Sequence, residues 1–452
     1  MAGSRSSPPA DAVSARAVVE RAVAETLQGA VARDARFAVA LSGGRDSVAL
    51  LAAATALAAD RTVAVHVHHG LSRHADDWVA FCEKLCASLA VPLVVQHVVV
   101  APGDPRGVEA AARSARHAAL RDTARRTGLA AVLVAHHQDD QAETLLLQLA
   151  RGSGPAGLAA MARARRDATS VLWLRPFIDL PRRTLEAYVR ERGLAYVDDD
   201  SNASTLHRRN ALRATVVPPF AALFPGYPAT LARAAVRQAD ALALADDLAA
   251  VDFAATSSDG DIDCERFAAL APHRARNLLR YVLRLRGLRP PSEARLAAMM
   301  AQLRAARRDA RVAVRHDGSV IGVFRGRIVI HATPPPRFAE QWSGQPTLRL
   351  AHGELSFTPS HGDGLDGARL AHAEVTVRQR AGGERLQPAR DRPRRALKAW
   401  LRDAAMPPWV RAGLPLVFCD GELAAVPGIG VDVRFAAPPG AASIRIDWSP
   451  SR

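Results

Sequence analysis

The sequence predicts an α/β chain: a doubly wound parallel sheet over residues 36–220, a helical middle domain over 221–333, and a small α+β C-terminal domain over 340–452. Three observations carry this. Between residues 36 and 150, short runs that are apolar at every position alternate with helical patterns, as expected of parallel strands covered on both faces. A Gly43-Gly44 turn joins the first such run directly to the first helix. Farther on, the texture turns Ala-rich and helical, and Pro334, Pro335 and Pro336 then mark a hinge before a final group of strands.

Taken in order, residues 1–35 form a leading segment, disordered in its Ser/Pro/Ala-rich first part. Strands are predicted at 37–41, 63–67, 94–100 and 131–135, with helices at 47–59, 75–90, 108–127 and 139–151. After Gly152 come a short strand at 171–174, an amphipathic helix at 182–192, an acidic turn at 198–202 and a basic helix start at 207–213, which Pro218 and Pro219 close. A long Ala-rich run at 229–250 reads as a connecting helix. Helical sequence continues to about residue 308 and strands follow at 312–331. In the last module, strands at 348–357, 375–380 and 416–426 surround a helix at 395–404.

Composition narrows the functional classes. A length of 452 residues suits roughly three domains. No run of about 18 residues is apolar enough to span a bilayer, and residues 1–11 lack the apolar core of a secretory signal, so the cytoplasm is the expected compartment. Four cysteines do not make a disulfide framework; Cys82 and Cys86 share one helix face, where small apolar packing is the simpler reading than a metal or redox pair. The formal charge is +15, and only Lys84 and Lys398 are lysines, so the excess is guanidinium. That matches a polyanionic partner, since arginine forks fit phosphate and stack on bases; biased codon usage is the competing explanation.

Chemistry concentrates in Ser42-Gly43-Gly44-Arg45-Asp46-Ser47, between a strand and a helix. Two glycines let the backbone curl around an anion, and the helix N-terminus adds its positive dipole end. The serines supply hydroxyls, and Asp46 is placed to hold Mg2+ beside phosphates. The spacing of a Walker A loop is absent.

The Ser-Gly-Gly-x-Asp-Ser pattern resembles the N-type ATP pyrophosphatase, or PP-loop, family, whose members grip the pyrophosphate of ATP and transfer AMP to a substrate oxygen. Further segments resemble, in order, the tRNA(Ile)-lysidine synthetase family within it. These are His69-Gly70-Leu71; Glu109, Arg113 and Arg116 on one helix face, followed by His117 where the family commonly has Tyr; and His136-His137-x-Asp139-Asp140-x-x-Glu143-Thr144. Arg151-Gly152-Ser153-Gly154, Asp199-Asp200-Ser201-Asn202 and Arg209-Asn210-x-x-Arg213 continue the series. In the last module the matching residues run from Arg378 through Arg385, Arg394, Arg395 and Lys398 to Pro407-Pro408-Trp409. Residues 378–398 hold eight basic side chains against Glu384 and Asp391, with Trp400 and Trp409 close behind, a mixture that suits RNA.

The resemblance implies a PP-loop ATPase, Rossmann-like catalytic domain and a ligase that joins L-lysine to C2 of the wobble cytidine in a tRNA(Ile) with a CAU anticodon. ATP and Mg2+ are the implied cofactors, and a homodimer is an allowed assembly. It assigns Ser42 to Ser47 to ATP, Asp46, Asp139, Asp140 and Glu143 to catalysis, and Asp46 and Asp140 to the metal. His69, Glu109, Arg113, Arg116, His136, Arg151, Arg209, Asn210, Arg213, Arg378, Arg385, Arg394, Arg395 and Lys398 fall to the tRNA or substrate, with Arg209 and Arg213 on phosphate. Three other readings stay open at this point. A tRNA cytidine thiolase needs more cysteines near the loop than Cys82 and Cys86. A phosphohydrolase would use His66, His68, His69, His136, His137 and Asp140 on a metal. A non-catalytic tRNA-binding module would leave the nucleotide loop without a purpose.

Overall fold

A computed structural model of the chain describes residues 14–100, 107–198, 208–306 and 312–451, and at Glu109 the backbone alone. Asp199, Asp200, Ser201 and Asn202, His207, the Glu109 side chain and the first part of the leading segment lie outside the described residues. The chain divides into two compact units, with the boundary between Asp247 and Leu248.

The first unit is built on a six-stranded sheet of order β3-β2-β1-β4-β6-β5, where β1 is Phe37–Ala40, β2 Thr62–His68, β3 Leu93–His97, β4 Ala131–Leu133, β5 Ala164–Arg166 and β6 Leu172–Leu174. All neighbours are parallel except β5 and β6. The chain order turns back at β1, which lies between β2 and β4, so the crevice for a ligand opens at the carboxyl ends of these strands. The predicted third strand stops at His97 rather than residue 100. β3 is an edge strand, and Val99 beyond it is almost fully exposed, so its apolar run was not a sign of cover on both faces.

Among the described residues the α-helices of this unit are α1 Ala15–Ala30, α2 Arg45–Ala58, α3 Ala75–Ser88, α4 Val108–Arg126, α5 Gln138–Leu149, α6 Pro155–Leu158, α7 Arg182–Glu191, α8 Arg208–Ala211 and α9 Val217–Leu223; α10, Tyr227–Thr256, crosses the unit boundary. α1 lies in the leading segment, where composition gave no helix. Ser14 caps it by accepting the Arg16 amide at 3.1 Å, and Val19, Val23 and Leu27, spaced one turn apart, are buried against α2 and α7. With Phe37, Leu51, Leu133, Leu185 and Tyr188 they form the core on one sheet face. Leu120 and Ala124 of α4 pack with Val63, Val65, Val132 and Trp173 on the other. Cys82 and Cys86 point into the first core, where burial pushes their thiols up to about 12 and about 11, so both behave as small apolar groups.

The second unit holds two sub-structures. In the first, Cys264–Ala269, Pro272–Leu285 and Glu293–Arg304 cover an antiparallel sheet made of Ala313–His316, Ser319–Phe324, Arg327–Ala332 and the short strands Asp261–Asp263 and Ser257–Ser258. The strands expected at 312–331 are present, and Asp261–Asp263, within a stretch read as helical, adds to their edge. In the second, a five-stranded antiparallel sheet centred on Val375–Arg378 and Leu416–Cys419 packs with a four-stranded sheet through Leu355, Phe357, Val377 and Val417. Leu397–Asp403 is the predicted helix, anchored by the Trp400 indole, whose N–H donates to the Leu386 carbonyl at 2.9 Å.

Leu185 is fully buried in the core under α1 and α7. Its replacement by alanine is expected to cost about 2–5 kcal/mol in urea or thermal unfolding of the first unit, and a loss below about 1 kcal/mol would show that this face is not tightly packed.

Candidate active site

Where β1 ends, Gly43 takes φ +86°, a left-handed conformation that disfavours any side chain. Gly44 then caps α2 in extended conformation. Hydroxyls brace the turn from within. The Ser42 amide donates to Ser47 Oγ at 3.1 Å, the two hydroxyls share a bond at 3.0 Å, Ser42 Oγ accepts the Gly44 amide at 3.3 Å, and Ser47 Oγ donates to the Gly44 carbonyl at 2.8 Å. From behind, the Val197 amide donates to Gly43 O at 2.9 Å. Ser47, itself buried, is therefore a brace beneath the loop. Arg45 turns away from the crevice, its guanidinium meeting Asp46 at 3.1 Å and Glu186 of α7 at 2.8 Å.

The loop forms one side of a cavity of about 360 Å³ at the carboxyl ends of β1, β2 and β4. Asp46, His66, His69, Trp78, Arg116, His117, His136 and Asp140 also line it. His66 Nδ1–H donates to the Leu41 carbonyl at 2.9 Å, which leaves Nε2 as an acceptor, and burial pushes its pKa down. A second cavity, about 1180 Å³, also touches His117 and is lined by Arg113, Arg121, Arg163, Arg165 and Arg175.

His137 is the centre of charge. Only 3% of it is exposed, yet three carboxylates surround it: Asp46 and Asp140 at 3.5 and 3.6 Å from Nε2, and Asp139 at 3.7 Å from Nδ1. Burial alone would lower its pKa, but the hydrogen bond to Asp46 and the charges of Asp140, Asp46 and Asp139 outweigh it, so the net shift is upward. Asp46 and Asp140 are shifted the opposite way. Burial raises each, and His137 together with Arg45 for Asp46, and His137, Arg209, His136 and the His137 amide for Asp140, brings both below the usual carboxylate range.

Arg209 and Arg213 close the other side. Arg209 Nε meets Glu143 at 2.7 Å and its Nη2 meets Asp140 at 2.8 Å; Arg213 repeats the pattern at 2.6 and 3.0 Å. Both project from α8 and the π-helical turn Leu212–Val216 that follows it. Two forked guanidinia thus hold two carboxylates that are only 8% and 5% exposed. These arginines, expected on phosphate, lie on Asp140 and Glu143 in this structure.

Of the remaining predicted residues, Asp139 accepts the Arg182 amide at 2.9 Å at the start of α7 and faces His137 rather than the cavity. Arg151 is exposed in the turn after α5, and Asn210 lies beside Arg209 on α8. In the second unit Arg385 and Lys398 are exposed, whereas Arg378 lies 3.7 Å over the Phe418 ring, Arg394 pairs with fully buried Asp432 at 3.2 Å, and Arg395 pairs with Asp403 at 2.9 Å. His137 and Arg175 were not among the predicted site residues. Arg175 Nε donates to His136 Nδ1 at 3.3 Å, and burial, with this cation and others nearby, brings His136 down to about 3 despite Asp140. An arginine directly after the apolar run 171–174 was the available signal. Among the described residues no three His, Cys, Asp or Glu side chains converge as a metal-ligand set, which the phosphohydrolase reading requires.

Three family models match the chain: a PP-loop domain at residues 16–220, a TilS substrate binding domain at 262–329 and a TilS substrate C-terminal domain at 375–448. The chain is 38% identical over 427 residues to the tRNA(Ile)-lysidine synthase of Nitrosomonas europaea, covering 92% of each. It is 41% identical to that of Chromobacterium violaceum, covering 92% of this chain and 96% of the other, and 40% identical to that of Ralstonia nicotianae, covering 92% of each.

Replacing Arg209 by alanine strands part of a buried carboxylate pair that Arg213 alone then serves, and is expected to cost about 3 kcal/mol of stability by denaturant titration; a cost below 1 kcal/mol would show that the pair is solvated. The raised His137 pKa stabilises the fold fully below the ordinary imidazole value of about 6.5, and this contribution is lost as pH rises through the folded value. Melting temperature followed from pH 6 to 9 is therefore expected to fall more steeply in the wild type than in His137→Gln, and equal slopes would place the proton elsewhere.

Proposed function

The chain belongs to the tRNA(Ile)-lysidine synthase family, and on that footing we propose how its residues divide the work of the ligase. The reaction joins lysine to C2 of the wobble cytidine of a tRNA(Ile) with a CAU anticodon. The cytidine O2 attacks the α-phosphorus of ATP and pyrophosphate leaves. The lysine Nε then attacks C2, the C2–O bond breaks, AMP leaves, and a proton from the amine passes to a base. Lysidine pairs with A in place of G, which moves the codon read from AUG to AUA.

The observation that carries the assignment is the meeting of Ser42, Gly44, Asp46 and Asp140 in the wall of one cavity, with buried His137 holding Asp46 and Asp140 together from behind. The turn and the N-terminus of α2 suit the pyrophosphate of ATP. Asp46 and Asp140 present hard oxygen donors that converge on one imidazole from two helices, and this donor pair fits Mg2+, which commonly takes one or two carboxylates and completes its shell with phosphate and water. Bound there, Mg2+ supplies charge neutralisation for the leaving pyrophosphate.

Arg209 and Arg213 fix Asp140 and Glu143 in place, and Asp139, partly exposed and outside the lining of the nucleotide cavity, is the residue we assign to a lysine ammonium that approaches from solvent, and to its proton. His136, held neutral beside Arg175, offers Nε2–H as a donor toward the developing charge on the cytidine. The second, arginine-lined cavity suits the phosphates that flank the wobble nucleotide, so we assign Arg113, which lines it, to those phosphates and Arg116, which lines the first cavity, to the ATP side. In the second unit we assign Arg385 and Lys398 to tRNA phosphates, because Arg394 already serves Asp432.

With ATP, lysine and tRNA present, Asp46→Ala is expected to lower tRNA-dependent pyrophosphate release at least a hundredfold, and release at the wild-type rate would remove Asp46 from the reaction. Mass analysis of the anticodon loop should show a lysine-sized adduct on cytidine in the isoleucine tRNA and none in the methionine tRNA. Release that needs neither lysine nor tRNA would overturn the ligase reading itself.

A further inference from the structure

In the second unit a cavity of about 1040 Å³ lies between the hairpin of Ser319–Phe324 with Arg327–Ala332 and the short helix Pro408–Gly413. Its aromatic wall is an ordered stack. His331 lies on the Trp409 indole with ring centroids 4.1 Å apart and planes 7° apart, and Phe324 meets the same indole edge-on at 5.4 Å. Valine and proline side chains make up most of the rest, and Arg315 and Arg325 also line it. Among the described lining residues none is acidic.

The surroundings extend this charge. Arg411, on the same short helix, has its pKa lowered by burial and then by the guanidinia of Arg380, Arg325 and Arg402, so Arg325 of the cavity wall shares a cationic neighbourhood with Arg411. A free phosphate would satisfy the arginines but leave the ring stack in water. An apolar peptide would cover the rings but bury guanidinia without partners. A flat, heteroaromatic, anionic ligand satisfies both, and the volume is at the upper end for a small-ligand pocket.

We propose that this cavity receives a single unpaired nucleotide of RNA, its base continuing the His331–Trp409 stack and its phosphate lying between Arg315 and Arg325. The occupant is RNA rather than free nucleotide on the reading above that the substrate is a tRNA, whose looped and terminal nucleotides are unpaired. Stacking of this kind accepts any base, so the pocket contributes affinity and placement rather than sequence choice.

The test uses the full-length chain and a fluorescein-labelled single-stranded RNA heptamer of mixed sequence, with a blunt RNA duplex of the same length as comparison. Trp409→Phe keeps a stacking surface and is expected to bind the heptamer within about threefold of wild type. Trp409→Leu keeps an apolar side chain without the π face and is expected to bind about tenfold more weakly. A structural role alone would give both variants the same affinity. The pair Arg315→Gln and Arg325→Gln is expected to reduce the dependence of log affinity on log salt by about 0.7 for each arginine removed, a readout independent of the tryptophan. Equal binding by Trp409→Leu and Trp409→Phe, an unchanged salt slope, or equal affinity for the duplex would each overturn the proposal. Lysidine formation by the wild type is scored separately: if it occurs while heptamer binding ignores these substitutions, only this inference falls, and if it does not occur, the reading of the catalytic unit falls instead.

Discussion

Four carboxylates, Asp46, Asp139, Asp140 and Glu143, gather at one end of a parallel sheet, and the site depends on meeting them with cationic partners where water is largely excluded. Burial by itself would push Asp46 and Asp140 toward the protonated form. Here His137 is interposed among three of them, and Arg209 and Arg213 fork onto two. The pKa shifts express the balance: downward at Asp46 and Asp140, upward at His137, each against the direction of burial. The first turn of α5 is also a place where carboxylates are favoured by the helix dipole, and Asp139 and Asp140 both sit in it.

Arg209 and Arg213, four residues apart, stand on one face of the segment Arg208 to Val216, which is how both reach the same two carboxylates. The segment widens into a π-helical turn at Leu212–Val216, a form often found at functional positions. The loop that carries Gly43 is tied in turn to α7, since Arg45 pairs with Glu186, and Asp139 caps the same helix through the Arg182 amide. Both sides of the nucleotide crevice are therefore anchored to one element.

The arginine excess divides into two populations. Some guanidinia are internal struts: Arg274 on Asp252, Arg394 on Asp432, and Arg304 on the Leu270 and Ala268 carbonyls. Others, such as Arg113, Arg163 and Arg165 in the first unit and Arg315 and Arg325 in the second, line cavities. Net charge alone reads both populations as one signal. Arginine serves the first role because its planar fork satisfies two acceptors with one ordered side chain.

Much of the architecture was legible in the residues themselves. Uniformly apolar Val-rich runs, a Gly-Gly turn between strand and helix, and helix-spaced apolar positions are local properties, and they gave β1, β2 and β4, their helices and the position of the nucleotide loop. The motif residues likewise gave Asp46, Asp140 and Glu143 as a group. What the local pattern did not carry was partnership. Arg209 and Arg213 lie about seventy residues from the carboxylates they neutralise, Arg175 lies 39 residues from His136, and Asp261–Asp263 becomes a strand only by pairing with a hairpin far along the chain. An arginine has the same local signature whether it faces phosphate or a buried carboxylate. The sequence by itself determined which side chains were available and on which elements they stand; only the tertiary structure decided which charge each one meets, because that energy depends on distance and desolvation, and both are set by the packing of the whole sheet.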